Sequence, residues 1–475
     1  MLDKKLLNIK RPLRKRIAFA SFGGGLNTQT DQNLLPFKYS PHTFNFNVKS
    51  GALTDGTGIG NAQFTAHSTP LEPPSPPVKI YFYKRYDGDK ADDRLIAYCG
   101  DKKVYSLRLG VNDEFSEIEG LIFENAPVAV NYRYNGNDVL ILSCEKDNMV
   151  ILDGDGYTSY DNTPYITSMC VHYERLFVTS GEEKSMLYFS KDFDPVNFNV
   201  SLDEAGFIDM PDMRGTLIKV VSFLDYVYIF RTNGIARLVA YANQEEFSCV
   251  QLFVTSGRIF KDTITTCGDR IIFLAEDGLY IFDGIYTRKL LTQIESLFKN
   301  VDNKNAAAEY INGKYYLAFN IIKDGEEQTS LMEYDINDGS FLLTSGLDVI
   351  DMEPVNTDLQ SKLIFLLDGS GVIGELCCES RLFDTPLNKI WQSPATDFGI
   401  KEKNKVLKEI SLMTDGDIEI ETFSDSGKKR YKIKGKKTLS VIRPNLRGKI
   451  FWFTIKSNGI NSRISNLAVI ADGIK

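Results

Sequence analysis

The sequence predicts an all-β protein, a six- or seven-bladed β-propeller with an extended N-terminal arm and a C-terminal β-sandwich module. Three observations carry that expectation. From about residue 94 to residue 376 one unit recurs: an alternating apolar run, a tight polar turn and a second alternating run. Its copies follow one another every few tens of residues, near the ~40 residues of a four-stranded propeller blade. Helical periodicity is almost missing, and the best candidate is a short stretch from Thr292 to Val301 with Ile294, Leu297 and Phe298 on one face.

The clearest copies are RLIAYCGDKKVYSL from Arg94, DVLILSCEKDNMVILDGDG from Asp138, RIIFLAEDGLYIFDG from Arg270 and KLIFLLDGSGVIGEL from Lys362. Each reads as a β-hairpin. In the third, Ile271, Phe273 and Ala275 face one way and Ile272 and Leu274 the other; Glu276-Asp277-Gly278 supplies the turn, and Leu279-Tyr280-Ile281-Phe282 returns. Weaker copies start at Val171, Phe223 and Tyr310. Two hairpins make a sheet that cannot bury its faces alone but can when stacked radially on its neighbours. A large β-sandwich uses the same hairpins, and the regular spacing is what favours the propeller.

The flanks differ in character. Residues 1–78 read as a basic arm ending in Ile17-Ala18-Phe19, then Gly-, Asn- and Thr-rich extended segments, then a Pro-rich linker, LEPPSPPVK, from Leu71. An arm of that kind is expected to order against a partner. The propeller is expected over 79–387. Over 388–475 the alternation changes, as in Ile418-Glu419-Ile420-Glu421 and Phe451-Trp452-Phe453-Thr454-Ile455, and suggests a small sandwich of about five strands.

Composition describes a globular chain: 475 residues, 43% apolar and 25% charged, with 30 Phe and 23 Tyr suiting a β-rich fold. No apolar run reaches the ~18 residues of a membrane helix, and the N-terminal stretch lacks the apolar core of an export signal, so cytoplasmic synthesis is expected. Seven scattered cysteines without a CxxC pair imply neither a disulfide framework nor a zinc site. The net charge of -8 is uneven. Lys428 to Lys449 holds ten Lys or Arg and no acid, residues 1–16 hold seven against one Asp, and the remainder is therefore near -24. The candidate contact residues are Lys428, Lys429, Arg430, Lys432 and Lys434 at one end and Arg14, Lys15 and Arg16 at the other, positioned to meet acidic partners. The plain alternative is that lysines on an edge strand block unwanted pairing.

Catalytic signatures are missing from the sequence: no GxSxG, HExxH, GK[ST] phosphate loop or helix-opening GxGxxG is found. His42, His67 and His172 are too dispersed for a dyad or a metal cluster. Asp153, Asp155 and Asp161 look like a calcium loop but miss its twelve-residue pattern and terminal Glu, so a plain hairpin turn is expected there. With two Trp and no repeated Asp-box turns, a sugar-cleaving propeller has little support. No enzymatic activity and no cofactor are expected.

Three stretches resemble a known family. SFGGGLNTQTDQNLLPFKYSPHTFNFNVKSGALTDGTGIG, from Ser21, is similar to the N-terminal stretch of bacteriophage tail proteins, with its GGL element, Asn-rich strand and GxLxxxxG. ERLFVTSGEEKSMLYFSKDFDPVNFN, from Glu174, resembles a blade segment of the same proteins, and WQSPATDFGIKEKNKVLKEISL, from Trp391, their closing module. The family is that of the propeller-bearing tail nozzle, hub or DNA-stabilisation proteins of short-tailed phages. The resemblance implies a virion protein forming a ring, a hexamer, beneath the portal and adaptor, with other tail proteins as neighbours and genomic DNA passing through the channel. It carries over no catalytic residue. The alternatives are a receptor-binding tail-tip or fibre protein and, less favoured, a propeller-type polysaccharide hydrolase or lyase.

Overall fold

Antiparallel meanders repeat along the larger of the two units into which the chain divides. The computed structural model describes residues 14–473 apart from 20–21, 66–69, 203, 212–213, 242–243, 300 and 324. The larger unit holds 59–340 and 346–376; the smaller gathers the residues up to Gly58, 341–345 and 377–475. This division differs from the three segments expected at 1–78, 79–387 and 388–475, because segments distant in sequence pair with one another. The strand Thr43–Phe44 pairs with Lys389–Gln392, and the hairpin of Phe46–Lys49 and Ala52–Asp55 joins Ile464–Gly473 through Leu53 and Ile464.

In the larger unit the first sheet is Pro77–Tyr83, Arg94–Cys99, Lys103–Arg108 and Ser116–Ile122, and the second Val128–Tyr134, Asn137–Ser143, Met149–Asp153 and Gly156–Tyr160. The third is Ile166–His172, Arg175–Ser180, Met186–Phe189 and Gly206–Asp209; the fourth Leu217–Phe223, Tyr226–Arg231, Gly234–Val239 and Ser248–Val254. The fifth is Thr265–Cys267, Arg270–Ala275, Gly278–Phe282 and Thr287–Leu290. Ala307–Ile311, Lys314–Lys323 and Glu326–Asp335 follow, then Val349–Asn356, Ser361–Leu367 and Gly374–Cys377. The expected short helix is a 3-10 turn, Thr292–Leu297, that buries Ile294.

The middle strands of most of these sheets are apolar on both faces, because a neighbouring sheet covers each side. Gly278–Phe282 is buried along its whole length, and Arg270–Ala275 all but its first residue. Ile80, Phe82, Leu95 and Ala97 of the first sheet share a core with Val355, Ile364 and Leu366 of the last. The opposite face of the first sheet packs Tyr83, Ile96 and Tyr98 against Leu140, Leu142 and Leu152 of the second. Successive sheets continue in this way, and the last meets the first, so the sheets close into a ring, a β-propeller. Residues 59–61 add an outer strand to the last sheet, and Ala62 donates its N–H to the Ile373 carbonyl at 3.1 Å. The Pro-rich segment packs on the same sheet: Leu71 is buried and its carbonyl accepts from Ile373 N–H at 2.9 Å.

The smaller unit is a sandwich. One sheet runs, in spatial order, Leu439–Ile442, Lys405–Thr414, Ile464–Gly473, Ala52–Asp55 and Phe46–Lys49, with Leu446–Gly448 and Arg14–Ala18 as further partners; the other runs Thr43–Phe44, Lys389–Gln392, Phe451–Ser457, Ile418–Ser424 and Gly427–Ile433. Between them lies a core of Trp391, Phe453, Ile410, Leu412, Ile420 and Ile455. The N-terminal segment does not wait for an outside partner from Arg14 onward. Arg14–Ala18 pairs in register with Ile464–Gly473, and Phe19 meets Trp391 and Phe453 edge-on, with ring centroids 5.9 and 5.6 Å away. The apolar patch that reads as an intermolecular anchor in sequence closes the chain's own core instead, because a Phe buried among aromatic rings removes apolar surface from water without a second molecule. Residues 1–13, with the remaining basic residues of the arm, lie outside the described residues.

Candidate functional site

The basic segment forms the ends of both sheets of the sandwich. Ile418–Ser424 alternates strictly, burying Ile418, Ile420, Thr422 and Ser424 and turning Glu419 and Glu421 outward. Its partner Gly427–Ile433 sets Arg430 opposite Glu421 and Lys432 opposite Glu419, and among the described residues the five-stranded sheet ends there. Lys428, Lys429, Arg430, Lys432 and Lys434 are all exposed. They are not equivalent. Arg430 is held by carboxylates, Nη2 to Glu421 Oε1 at 2.5 Å and Nε to Glu419 Oε1 at 3.3 Å. Lys456 reaches the second Glu421 oxygen at 2.7 Å, and these bonds, that of Lys456 first, hold the Glu421 carboxyl below its ordinary range. Lys429 points the other way and donates to the Pro444 carbonyl at 2.6 Å, tying this edge to the chain that follows Leu439–Ile442.

Leu439–Ile442 ends the other sheet. Alternation turns Ile442 toward the core, while Leu439 and Val441 face solvent, Leu439 being 59% exposed. Exposed Lys436, Lys437 and Arg443 flank them. An apolar pair in a cationic frame on an edge strand results.

Arg14, Lys15 and Arg16 are also exposed but lie elsewhere. Arg14 Nε binds Asp472 Oδ1 at 3.0 Å. In their sheet, Ile464–Gly473 and Lys405–Thr414 intervene between this strand and Leu439–Ile442, which at ~4.8 Å per strand is about 14 Å. The structure therefore gathers the five C-terminal residues at one edge of the sandwich and does not bring the N-terminal three to them.

The expected hairpin turn at Asp153 is observed, between Met149–Asp153 and Gly156–Tyr160, and each of the three carboxylates has its own partner. Asp153 accepts from Arg85 at 3.0 Å, Asp155 pairs with Arg94, and Asp161 accepts from Asn148 at 2.9 Å. Among the described residues no group of three or more His, Cys, Asp or Glu is placed to hold a metal ion. His42 packs on Phe44, ring centroids 5.3 Å apart, and His67 lies outside the described residues. His172 is buried, hydrogen-bonded to Ser222 at 2.9 Å, and burial lowers its pKa.

Sequence reasoning missed the charged centre of the ring. Innermost strands and the segments beside them contribute Lys79, Lys219, Lys261, Asp262, Glu309, Asp351 and Glu353. Lys79 Nζ binds Asp351 Oδ1 at 2.5 Å, Asp351 Oδ2 accepts from Ile80 N–H at 3.0 Å, and Glu353 accepts from Phe82 N–H at 2.8 Å, so these side chains tie the last sheet to the first. Lys219 donates to the Ile264 carbonyl at 2.8 Å and Lys261 to that of Thr167 at 2.6 Å, bridging further sheets. Burial pushes the Glu309 carboxyl up to about 7 against the pull of Lys219 and Lys79. Burial also opposes the charge of Asp262, but Lys79, Lys261 and Lys219 outweigh it and hold that carboxyl below its usual range. The cluster fastens sheets together around the axis; the sequence signal for it was a charged residue on an otherwise apolar first strand, as in PVKIYFY and AAEYI.

The turns of the ring also differ among themselves. Five of the sheets join their first and second strands through two-residue loops. Those loops are Asn135-Gly136, Tyr173-Glu174, Leu224-Asp225, Gly268-Asp269 and Asn312-Gly313.

No known protein family and no curated protein matches the sequence. Among solved structures, the chain is similar to BBS1N in complex with ARL6DN, in a mercury-soaked crystal at 10% identity and TM-score 0.44 (66% of this chain, 95% of that one) and in a lead-soaked crystal at 11% and 0.43 (66% and 97%). It is also similar to Chaetomium thermophilum Raptor at 8% identity and TM-score 0.46, over 71% of this chain and 30% of that one. No partner or activity of those proteins passes to this chain at such scores.

Proposed function

We propose that this chain is a structural protein of a bacteriophage tail, assembling with copies of itself into a ring, a nozzle or hub beneath the portal and adaptor that continues the path of the genome. The observation that carries the reading is that the stretches resembling tail proteins toward the two ends of the sequence meet in one sandwich, where Thr43 of the first pairs with Trp391 of the second. The resemblance thus falls on a built module whose two sheets end in edge strands of the basic segment, the kind of edge through which subunits join. The propeller is read as seven-bladed, from the first strands Pro77–Tyr83 through Val349–Asn356 and the closing contribution of residues 59–61. An acidic remainder suits a wall along which DNA slides, since many phosphate contacts from Lys and Arg would hold the duplex tightly and salt-dependently.

Exposed aromatic turn tips on the propeller favour a second reading, a receptor-binding tail-tip protein. Immunogold labelling of intact virions separates the two. Label beneath the portal is expected; label at fibre tips supports the second reading, and virions that carry none of this chain overturn both.

A further inference from the structure

The repeats of the ring serve as controls for one another. A two-residue hairpin loop needs positive φ, which Asn and Gly adopt at little cost and which bulky side chains resist. Asn135-Gly136 and Asn312-Gly313 meet that need, with φ of 51° and 88° and of 50° and 83°. At the same place in the third sheet stand Tyr173 and Glu174, forced to φ of 44° and 60°. In the fifth sheet the loop is Gly268-Asp269, with Gly268 at φ 63°; in the fourth it is Leu224-Asp225, with Leu224 at φ 52°. Two neighbouring sheets therefore place a large apolar residue where their sisters place Asn or Gly, accepting backbone strain to do so.

Both residues are also exposed, Leu224 to 61%. Burial does not offset the strain at either residue; Tyr173 gains only surface contacts, its ring beside that of His172 at 4.3 Å and its hydroxyl bonded to Asp225. Each belongs to a small exposed apolar cluster, and the hydrogen bond of Tyr173 to Asp225, the residue after Leu224, sets the two clusters side by side. The ring of Tyr173 lies 5.6 Å from that of Tyr241, which is 66% exposed. Leu224 adjoins Gly284, next to Ile285 and Tyr286, the latter 75% exposed. Around the clusters stand the exposed carboxylates of Glu174, Asp225 and Asp283.

The sandwich edge carries the complementary surface: Leu439 and Val441 exposed on an edge strand and flanked by Lys436, Lys437 and Arg443. Apolar centres match, and an acidic rim faces a basic one. We infer that the Tyr173–Leu224 face of the propeller receives the Leu439–Ile442 edge of a second copy of this chain. The contact is head-to-tail, because the two surfaces differ, and such contacts generate rings when the rotation closes. Closure of a ring rests on the reading of the preceding section; the contact itself rests on the turns, the clusters and the charge match.

The test uses the full chain at micromolar concentration in sedimentation velocity. The double variant Tyr173→Asn/Glu174→Gly and the single variant Leu224→Gly install sister turns already present in the ring, so each is expected to melt no lower than the wild type. Each is expected to weaken self-association by about 30-fold, the size associated with deleting an interface anchor. On the other surface, Leu439→Lys with Val441→Lys is expected to do the same. Mixing a turn variant with an edge variant leaves one intact contact per pair and is expected to yield one-to-one dimers and nothing larger. Wild-type protein that stays monomeric, or turn variants that assemble like wild type, overturn the inference; in the second case the ring reading survives through another contact. Virions lacking the chain would remove the ring reading and leave a measured contact in place.

Discussion

The ring of sheets and the sandwich both recruit an early segment to complete late strands, residues 59–61 beside Gly374–Cys377 in one and Arg14–Ala18 against Ile464–Gly473 in the other. They part in what they leave open. In the ring each sheet covers the next, and charged groups at the axis are bound across sheets, as Lys79 is to Asp351. Among the described residues the sandwich ends in Gly427–Ile433, rich in exposed Lys and Arg, and in Leu439–Ile442, an apolar strand flanked by Lys436, Lys437 and Arg443, and each has a partner strand on one side only. The difference teaches where association can occur without cost to the fold: at the sandwich edge and at a few turn tips of the ring, and not at its interlocked faces.

That contrast can be broken at several points. The largest expected effect is in the sandwich core, where Trp391→Ala removes a ring that packs against Phe19, Phe22 and Phe453 and should cost about 3–5 kcal/mol. In calorimetry the sandwich transition should fall to lower temperature while the propeller's stays in place; a single shifted transition would show that the two units melt together. Asp351→Ala leaves Lys79 and the Ile80 N–H without their partner at the ring closure and should cost the propeller ~3 kcal/mol, read by denaturant titration. An unchanged midpoint would mean that the axis charges do not fasten the ring.

A pH test sharpens the same point. Because the Glu309 carboxyl titrates at about 7 in the folded protein, above its range in the unfolded chain, its contribution to stability is lost as pH rises toward 7. The melting temperature of Glu309→Gln relative to wild type should therefore rise between pH 5 and pH 8. A flat difference would place Glu309 in ordinary solvent.

Smaller still is the turn exchange: Tyr173→Asn/Glu174→Gly should raise stability by up to ~1 kcal/mol by relieving positive φ at bulky residues. The smallest is charge reversal of Lys428 and Lys434 to Glu, exposed edge lysines that do not stand opposite Glu419 or Glu421. Exposed edge charges contribute little to folding, so the circular dichroism melt should move by no more than about 2 °C while assembly of tails is lost. Normal virions from that mutant would remove the basic edge from the contact.

Legibility in the sequence followed burial. The hairpins from Arg94, Asp138, Arg270 and Lys362 became middle strands, whose apolar residues on both faces leave a strong pattern. Outer strands such as Gly156–Tyr160 and Thr287–Leu290 are mostly solvated and carry none. Pairings across the length of the chain, Arg14–Ala18 with Ile464–Gly473 above all, have no local signal, which is why the arm ending in Ile17-Ala18-Phe19 reads in sequence as one that orders against a partner. The basic edge was legible because alternation and charge run together in KKRYKIKGKK. Tyr173 and Leu224 escaped notice because Gly and Asn were the expected turn residues; aligning the same loop across the repeats would have exposed them.

The ring itself is the claim with most resting on it, and mass photometry of the intact chain, alone and with the tail protein on its portal side, tests it most directly. A closed hexamer is the expected result, abolished by the turn exchange. A monomer in both mixtures would contradict it.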